Sequence, residues 1–313
     1  MKGISVIIAA YNREAFLEEA IRSVLAQNYD GPLEIIVSDD GSTDRSVEIA
    51  ESFDALVRVV RKSEGCSSQG VSGTRNRGLA AATQPYVAFL DSDDFYLPDH
   101  LNRAAAVLEQ RRELGFVFAR MLRMREEDGR RFFSPWTRPR VTKRDVRHPV
   151  VSGAYVVSTN ILVFRSEVFK TVGVFNEAFS NGEDGDLWIR ISESYQGAFV
   201  DHYGAIYRMA HGSGQLSGRK DRERILECAQ RIFGNALERC LARERIDRYR
   251  LFRLRLTLAP FGRPCWLSLL WVAIRHPVFA VATAFSPRRL LDRIRRKRPR
   301  ETTDLQEFAA EKR

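Results

Sequence analysis

Tyr86-Val-Ala-Phe-Leu-Asp-Ser-Asp-Asp-Phe95 is the stretch that decides how this chain is read. Its first five residues predict a buried strand. The strand then runs into three carboxylates, Asp91, Asp93 and Asp94. A strand interior cannot hold them, because an unpaired buried charge costs several kcal/mol or is neutralised by a pKa shift. They belong at the strand's carboxyl end, where open α/β sheets bind their ligands. Two carboxylates one residue apart at such a rim suit a hard divalent cation, Mg²⁺ or Mn²⁺. Such an ion takes one or two protein carboxylates and fills its other positions with water and substrate phosphates. The competing reading is a solvated acidic turn that caps the helix starting near Pro98.

The rest of the first half repeats this design. Ile4-Ser-Val-Ile-Ile8 reads as a central strand and ends in Ala9-Ala-Tyr-Asn12. Phe16, Leu17, Ala20, Ile21, Val24 and Leu25 recur at helical spacing. Leu33 to Val37 is a second strand, ending in Ser38-Asp-Asp-Gly-Ser42, and a helix follows it. Val57 to Val60 is a third strand, Gly65 to Gly73 a loop, and Thr74 to Ala82 a helix packed closely on the sheet. This β–α alternation predicts a largely parallel sheet with right-handed crossovers. In such a sheet the polar strand ends at Tyr11-Asn12, Asp39-Asp40 and Asp91-Asp93 lie on one edge and make one cleft.

The second half is less regular. A helix over about Pro98 to Arg111 and a strand over Gly115 to Ala119 are expected. Residues 123–149 read as an irregular excursion or a hairpin. Ala154 to Phe164 is strand-like, with polar Ser158, Thr159 and Asn160 in its middle. Ser166 is a plausible N-cap for a short helix. Gly182 to Ile191 is a helix with Leu187, Trp188 and Ile191 on its apolar face. Its N-terminal Glu183, Asp184 and Asp186 suit the helix dipole, so capping competes with any catalytic reading. Phe199 to Met209 contains a strand, broken by His211-Gly-Ser-Gly214.

The chain of 313 residues is 44% hydrophobic and 29% charged, which is a globular composition. Its net charge of +10 is uneven, with Arg288, Arg289, Arg293, Arg295, Arg296, Lys297, Arg298 and Arg300 close together. Four cysteines without CxxC spacing read as reduced thiols of a cytosolic protein. The first strand follows the start directly, so no signal peptide is expected. Lys220 to Arg243 reads as a charged helix. Trp266 to Ile274 and Val278 to Phe285 are apolar but split by Arg275-His-Pro277. Neither half reaches the roughly 18–20 apolar residues that a spanning helix needs. With two Trp and a basic cluster, the segment fits a helix lying in an anionic membrane interface. Packing on the catalytic domain or on a dimer partner is the alternative. Nucleic acid is not expected, because no aromatics interleave with the basic run after Phe285.

Five segments together resemble the family 2 glycosyltransferases: Ile4 to Asn12, Ser38-Asp-Asp-Gly-Ser-Thr-Asp44, Thr74-Arg-Asn-Arg-Gly78, Leu90-Asp-Ser-Asp-Asp94 and Gly182-Glu-Asp-Gly-Asp-Leu-Trp188. Order and spacing match over roughly residues 3–215. The resemblance implies an α/β fold of the GT-A type, a Rossmann-like, mostly parallel sheet flanked by helices. It implies a domain over 1–218, with a nucleotide-sugar half (1–97) and an acceptor half (98–218). A helical extension (219–260) and a basic, amphipathic, membrane-associating tail (261–313) would complete the chain. The implied reaction is inverting transfer from a nucleotide-diphosphate sugar, UDP- or dTDP-linked, to a hydroxyl of a glycan or lipid-linked acceptor.

The resemblance also distributes roles. Ala9, Tyr11 and Asn12 would line the nucleobase, with Tyr11 stacking on it and Asp40 accepting its N–H. Arg75 would contact base or phosphate. Asp91 would face the ribose and the metal's water shell. Asp93 would ligate the Mn²⁺ or Mg²⁺ directly, and His211 would be a third metal ligand, a phosphate contact or a plain surface histidine. Asp184 would be the general base, Glu183 would orient the acceptor or support that loop, and Trp188 belongs to the same substrate-binding motif. Asp94 reads as a turn or capping residue. A sugar-1-phosphate nucleotidyltransferase is a rival, but Ala9-Ala-Tyr-Asn-Arg-Glu14 lacks the glycines of its triphosphate loop. A non-catalytic nucleotide-sugar-binding membrane adaptor is another, against which the paired acids speak. The expected setting is envelope or exopolysaccharide assembly in the cytoplasm, peripheral on the inner face of the cell membrane. The oligomeric state is open.

Overall fold

The computed structural model of the chain describes residues 1–65, 70–136, 158–209 and 302–306, with 228, 231, 232 and 235. The first half alternates strand and helix: β1 Ile4–Ala10, α1 Leu17–Leu25, β2 Leu33–Asp39, α2 Ser46–Glu51, β3 Val57–Arg61, α3 Gly70–Ala81 and β4 Tyr86–Asp91. The second half runs β5 Phe95–Tyr96, α4 His100–Gln110, β6 Leu114–Glu127, β7 Arg130–Pro135, β8 Leu162–Arg165, α5 Glu167–Val172, α6 Glu183–Ser194 and β9 Gln196–Arg208. All nine strands join one sheet, ordered β3-β2-β1-β4-β8-β6-β9-β5, with β7 paired to β6.

The parallel pairing expected from β–α alternation holds from β3 through β4. Beyond β4 the sheet is mixed. β8 pairs antiparallel to both β4 and β6, while β6 and β9 run parallel. Period-two alternation on β1 sorts the two cores. Ile4, Val6 and Ile8 face the layer of α1 and α4. Ile7 faces the other layer with Phe89, Phe116, Phe164, Leu187 and Trp188. Gly78 lets α3 lie against the sheet, since a Cβ there would sit 2.4 Å from Ile7 Cγ2.

Two segments resolve expectations left open by sequence. The excursion after residue 123 begins as a hairpin: β6 extends to Glu127 and turns at Asp128-Gly129 into β7. Both turn residues have positive φ, 51° and 70°, as a two-residue hairpin requires. Ser166 stands at the start of α5 but makes no capping hydrogen bond. The described residues of the 219–260 region are helical and pack Cys228 and Ile232 on Phe179 and Ile189. Among residues 261–313, Thr302 bridges to Phe133 of β7, and Leu305 packs beside Leu122, Met124 and Ile206. The apolar and basic parts of that tail lie outside the described residues. Among the described residues, no helix is long and apolar enough to cross a membrane.

Candidate active site

Register alone assembles the rim. Ala9 pairs with Ser38 on one side and with Asp91 on the other, and Ala10 pairs with Asp39. The carboxyl ends of β1, β2 and β4 therefore meet along one edge, as the polar strand ends require. Tyr11 lies just past β1 and is 54% exposed, with its ring open to a stacking partner. Asn12 turns the chain at φ 50°, and its Oδ1 accepts the N–H of Thr43 at 2.8 Å. Asn12 thus ties the β1 loop to the β2 loop.

The two acids after β2 divide their work. Asp39 is buried and builds the turn by accepting the N–H groups of Gly41 at 2.9 Å and Ser42 at 3.0 Å. Asp40 faces the cleft side. Its Oδ1 meets Arg77 at 2.9 Å and Lys62 at 3.6 Å, and its Oδ2 accepts the N–H of Gly70 at 2.8 Å. A carboxylate offers about four lone-pair directions, so it retains capacity for a further donor.

Arg75, expected to contact base or phosphate, is tied to the acids of the rim. It is buried on α3, and both terminal nitrogens are committed to carboxylates: Asp91 at 2.6 Å and Glu183 at 3.0 Å. These partners push its pKa up against the opposing effect of burial. Its guanidinium also lies 5.4 Å from the ring centre of Phe175. Next to it, Asn76 holds Phe175 by both backbone groups, at 3.0 Å each. So α3 fixes the loop that leads into α6, and Arg75 joins the acid ends of β4 and α6.

At the start of α6, Glu183 is tied to Arg75, while Asp184 accepts the N–H of Gly185 at 2.6 Å. Burial raises the Asp184 pKa first, and the Glu183 carboxylate adds to it. Arg75 opposes both, and the result is about 6. Asp186 is buried in an i,i+4 ion pair with Arg190 at 2.9 Å and caps no free N–H, whereas the bond of Asp184 to Gly185 N–H is the contact the capping alternative describes. Trp188 corrects an expectation. Helical period turns it inward, where it stacks on Phe164 at 5.0 Å and is 3% exposed, so it sits in the core and not at the cleft.

The acidic turn after β4 is braced from behind. Asp93 stays at the rim with a 16% exposed side chain and lies 3.6 Å from Arg13 Nε. Asp94 caps no helix, since α4 begins only at His100. It is 2% exposed, and its oxygens accept the N–H of Arg208 at 2.8 Å and the amide of Asn160 at 2.5 Å. Burial and the neighbouring Asp91 and Asp93 carboxylates push its pKa well up. Asn160 and Arg208 escaped sequence reasoning. The signal for Asn160 was present, as part of a polar triplet interrupting an apolar run. His211 lies outside the described residues.

Whether a divalent cation fits can be judged from the donor set. Asp93 and Asp91 supply hard oxygen donors at a partly open rim, and Asp91 is already held by Arg75. Among the described residues no cluster of three or more His, Cys, Asp or Glu gathers to cage a metal. An ion held by one or two carboxylates and completed by phosphates and water needs no such cluster. The residues therefore fit Mg²⁺ or Mn²⁺ bound together with a nucleoside diphosphate.

The architecture is thus a mixed α/β sheet with an acidic rim, joined through Arg75 to a second acid pair on a separate helix. The profile of glycosyl transferase family 2 matches residues 5–173, and the chain belongs to that family. Over 110 residues it is 40% identical to the uncharacterized glycosyltransferase EpsJ of Bacillus subtilis, which is 34% of this chain and 30% of that one. Other relatives, from Nostoc and Rickettsia conorii, are likewise matched over only 33% and 31% of their own length. Among solved structures, S. aureus TarS 1-349 in complex with UDP-GlcNAc superposes with a TM-score of 0.62 at 23% identity, over 83% of this chain and 71% of that one. The mannosyltransferase PcManGT from Pyrobaculum calidifontis, in complex with GDP-Man and Mn²⁺, gives a TM-score of 0.55 at 18% identity, over 93% and 83%. The fold is thus that of the GT-A glycosyltransferases.

Proposed function

We propose that this protein is an inverting glycosyltransferase that moves a sugar from a UDP-linked donor to a hydroxyl of a glycan or lipid-linked acceptor. The observation that carries this reading is the Arg75 bridge, which brings the Asp91 end of β4 and the Glu183–Asp184 end of α6 into one site. A nucleoside diphosphate leaves from the β4 side. The uracil stacks on Tyr11, within reach of the Ala9–Asn12 strand end and of Asp40. Asp93 holds Mn²⁺ or Mg²⁺, and Asp91 supports the ribose and the ion's water shell. The ion, when bound, stabilises negative charge on the departing diphosphate. The acceptor hydroxyl has a high pKa, so its proton must leave as the new bond forms. Asp184 takes that proton, on the face opposite the diphosphate, and Glu183 supports the acceptor side. A pKa of about 6 leaves Asp184 mostly ionised at neutral pH while keeping it a competent base. His211 is proposed as a further diphosphate or metal contact. The UDP reading draws on TarS, which is described with UDP-GlcNAc; GDP-linked sugars are the alternative that PcManGT brings in. A panel of UDP-, dTDP- and GDP-sugars, assayed for release of the nucleoside diphosphate, tests this. Turnover of a UDP-sugar is expected; turnover of GDP-sugars alone would overturn the donor assignment.

The Asp184 pKa carries a pH prediction. The base works only when deprotonated, so transfer falls as pH drops through about 6. Glu183→Gln removes the like charge that raises the Asp184 pKa. The acid limb of the kcat profile should then move to lower pH. A limb that stays or moves upward would show that Glu183 does not act on Asp184 electrostatically.

We further propose that the basic tail holds the protein peripherally on an anionic, inner membrane face, beside a lipid-linked acceptor of envelope or exopolysaccharide assembly. Replacing Arg293, Arg295, Arg296 and Arg298 by Glu leaves the Thr302 bridge to β7 in place. At about 1 kcal/mol per basic residue near such a surface, losing four weakens binding to phosphatidylserine vesicles on the order of a thousandfold. Unchanged sedimentation with the vesicles would rule out the tail as the anchor.

A further inference from the structure

We propose that Asn160 is a positioning residue that sets the shape of the Asp91–Asp94 turn, acting through Asp94 rather than on substrate. The inference rests on the reading of that turn as the diphosphate and metal site. Asn160 is fully buried just before β8, far in sequence from the turn. Its Oδ1 accepts the N–H of Asp91 at 2.8 Å, and its Nδ2 donates to Asp94 Oδ2 at 2.5 Å. One amide therefore grips both ends of the turn, using its acceptor and its donor at once. The turn closes on itself through Asp94 N–H to the carbonyl of Asp91 at 3.0 Å. Arg208, the last residue of β9, completes the frame. Its N–H donates to Asp94 Oδ1 at 2.8 Å and its Nε to the Asp93 carbonyl at 3.0 Å. Asp93 itself is left at the rim, so its carboxylate is aimed by contacts made on either side of it.

Only an amide satisfies this pattern from position 160. Against an ionised Asp94, a carboxylate there accepts from Asp91 but donates nothing to Asp94 and adds a like charge beside it. An alanine leaves the Asp91 N–H and one Asp94 oxygen buried without a partner, which is costly. The pattern has one other solution, its mirror, in the double variant Asn160→Asp with Asp94→Asn. The amide introduced at position 94 then donates to the carboxylate introduced at position 160. That carboxylate still accepts from the Asp91 N–H, and the amide oxygen at position 94 still accepts from Arg208. The pair should therefore be non-additive.

The test measures UDP binding by calorimetry with and without Mn²⁺, and hydrogen exchange of the amides of the turn. N160D and D94N alone are each expected to weaken Mn²⁺-dependent UDP binding about tenfold or more and to speed exchange at Asp94, whose N–H closes the turn on the Asp91 carbonyl. The double swap should recover both. A general loss of fold would not give that recovery, and if a single variant does not fold, Asn160→Ser replaces it as the broken arm. Single variants that bind as wild type, or a swap that restores melting temperature without restoring binding, would overturn the inference. Wild-type protein without any Mn²⁺-dependent UDP binding would instead refute the metal reading. The exchange arm then decides alone: protection at the Asp94 N–H lost in the singles and regained in the swap supports the clamp, and unchanged protection refutes it.

Discussion

Asp184→Asn abolishes transfer, by a factor on the order of 10³ or more, while UDP still binds with wild-type affinity. The substitution is nearly isosteric and keeps the acceptor for Gly185 N–H, so the loop geometry survives. What it removes is a proton acceptor at the start of α6 whose pKa is raised into the working range. General-base catalysis contributes about 10²–10⁴ to rate. The effect should fall on kcat, because the proton moves only as the bond forms. Calorimetry of UDP binding beside a single-turnover assay separates the two quantities. If UDP affinity fell in parallel with rate, Asp184 would belong to the donor site and the base would lie elsewhere.

Asp93→Ala produces the opposite pattern. Binding of UDP in Mn²⁺ should weaken on the order of a hundredfold, and addition of a chelator should weaken wild type to that level or below while leaving the variant unchanged. The reasoning is electrostatic: the diphosphate carries negative charge toward a rim already holding Asp91 and Asp93, so without a cation the carboxylate repels it. Arg13, 3.6 Å from Asp93, supplies only part of the compensation. Full activity of wild type in excess chelator would contradict the metal assignment, and so would a variant that still responds to Mn²⁺.

The donor-side rim was legible in the sequence, because strand ends in a parallel sheet announce themselves locally. Apolar runs stop at Ala10, Asp39 and Asp91, and pairing register then brings those ends together. The helix α6 was legible from its period, but not what that period did with Trp188. The same inward face that marks a helix also buries its aromatic residue, so motif membership misled where periodicity did not. β6 was read as five residues and is fourteen long. Its second half carries Arg120, Arg123 and Arg125, and its register against β9 shifts at Phe118 and Arg120, which breaks the alternation a strand would display. The contacts of Arg75, Asn160 and Arg208 were illegible for a different reason. Their bonds to the turn after β4 and to α6 join residues 16 to 115 positions apart, and no local pattern encodes which carboxylate a buried guanidinium or amide will meet. Asp94 shows the cost: beside two cleft acids it looked like a turn residue, and only tertiary burial reveals it as their brace.

Transfer as proposed is a single displacement, with the leaving group held at Asp93 and the base at Asp184 on the opposite face. Water can replace the unknown acceptor. Hydrolysis of an α-linked UDP-sugar, followed by proton NMR faster than the released sugar equilibrates, reads the anomeric configuration of the first product. The β-anomer is expected to appear first, with Asp184→Asn abolishing its release. An α-anomer as the first product would mean retention, and would contradict the assignment of Asp184 as a base acting across the sugar from the diphosphate.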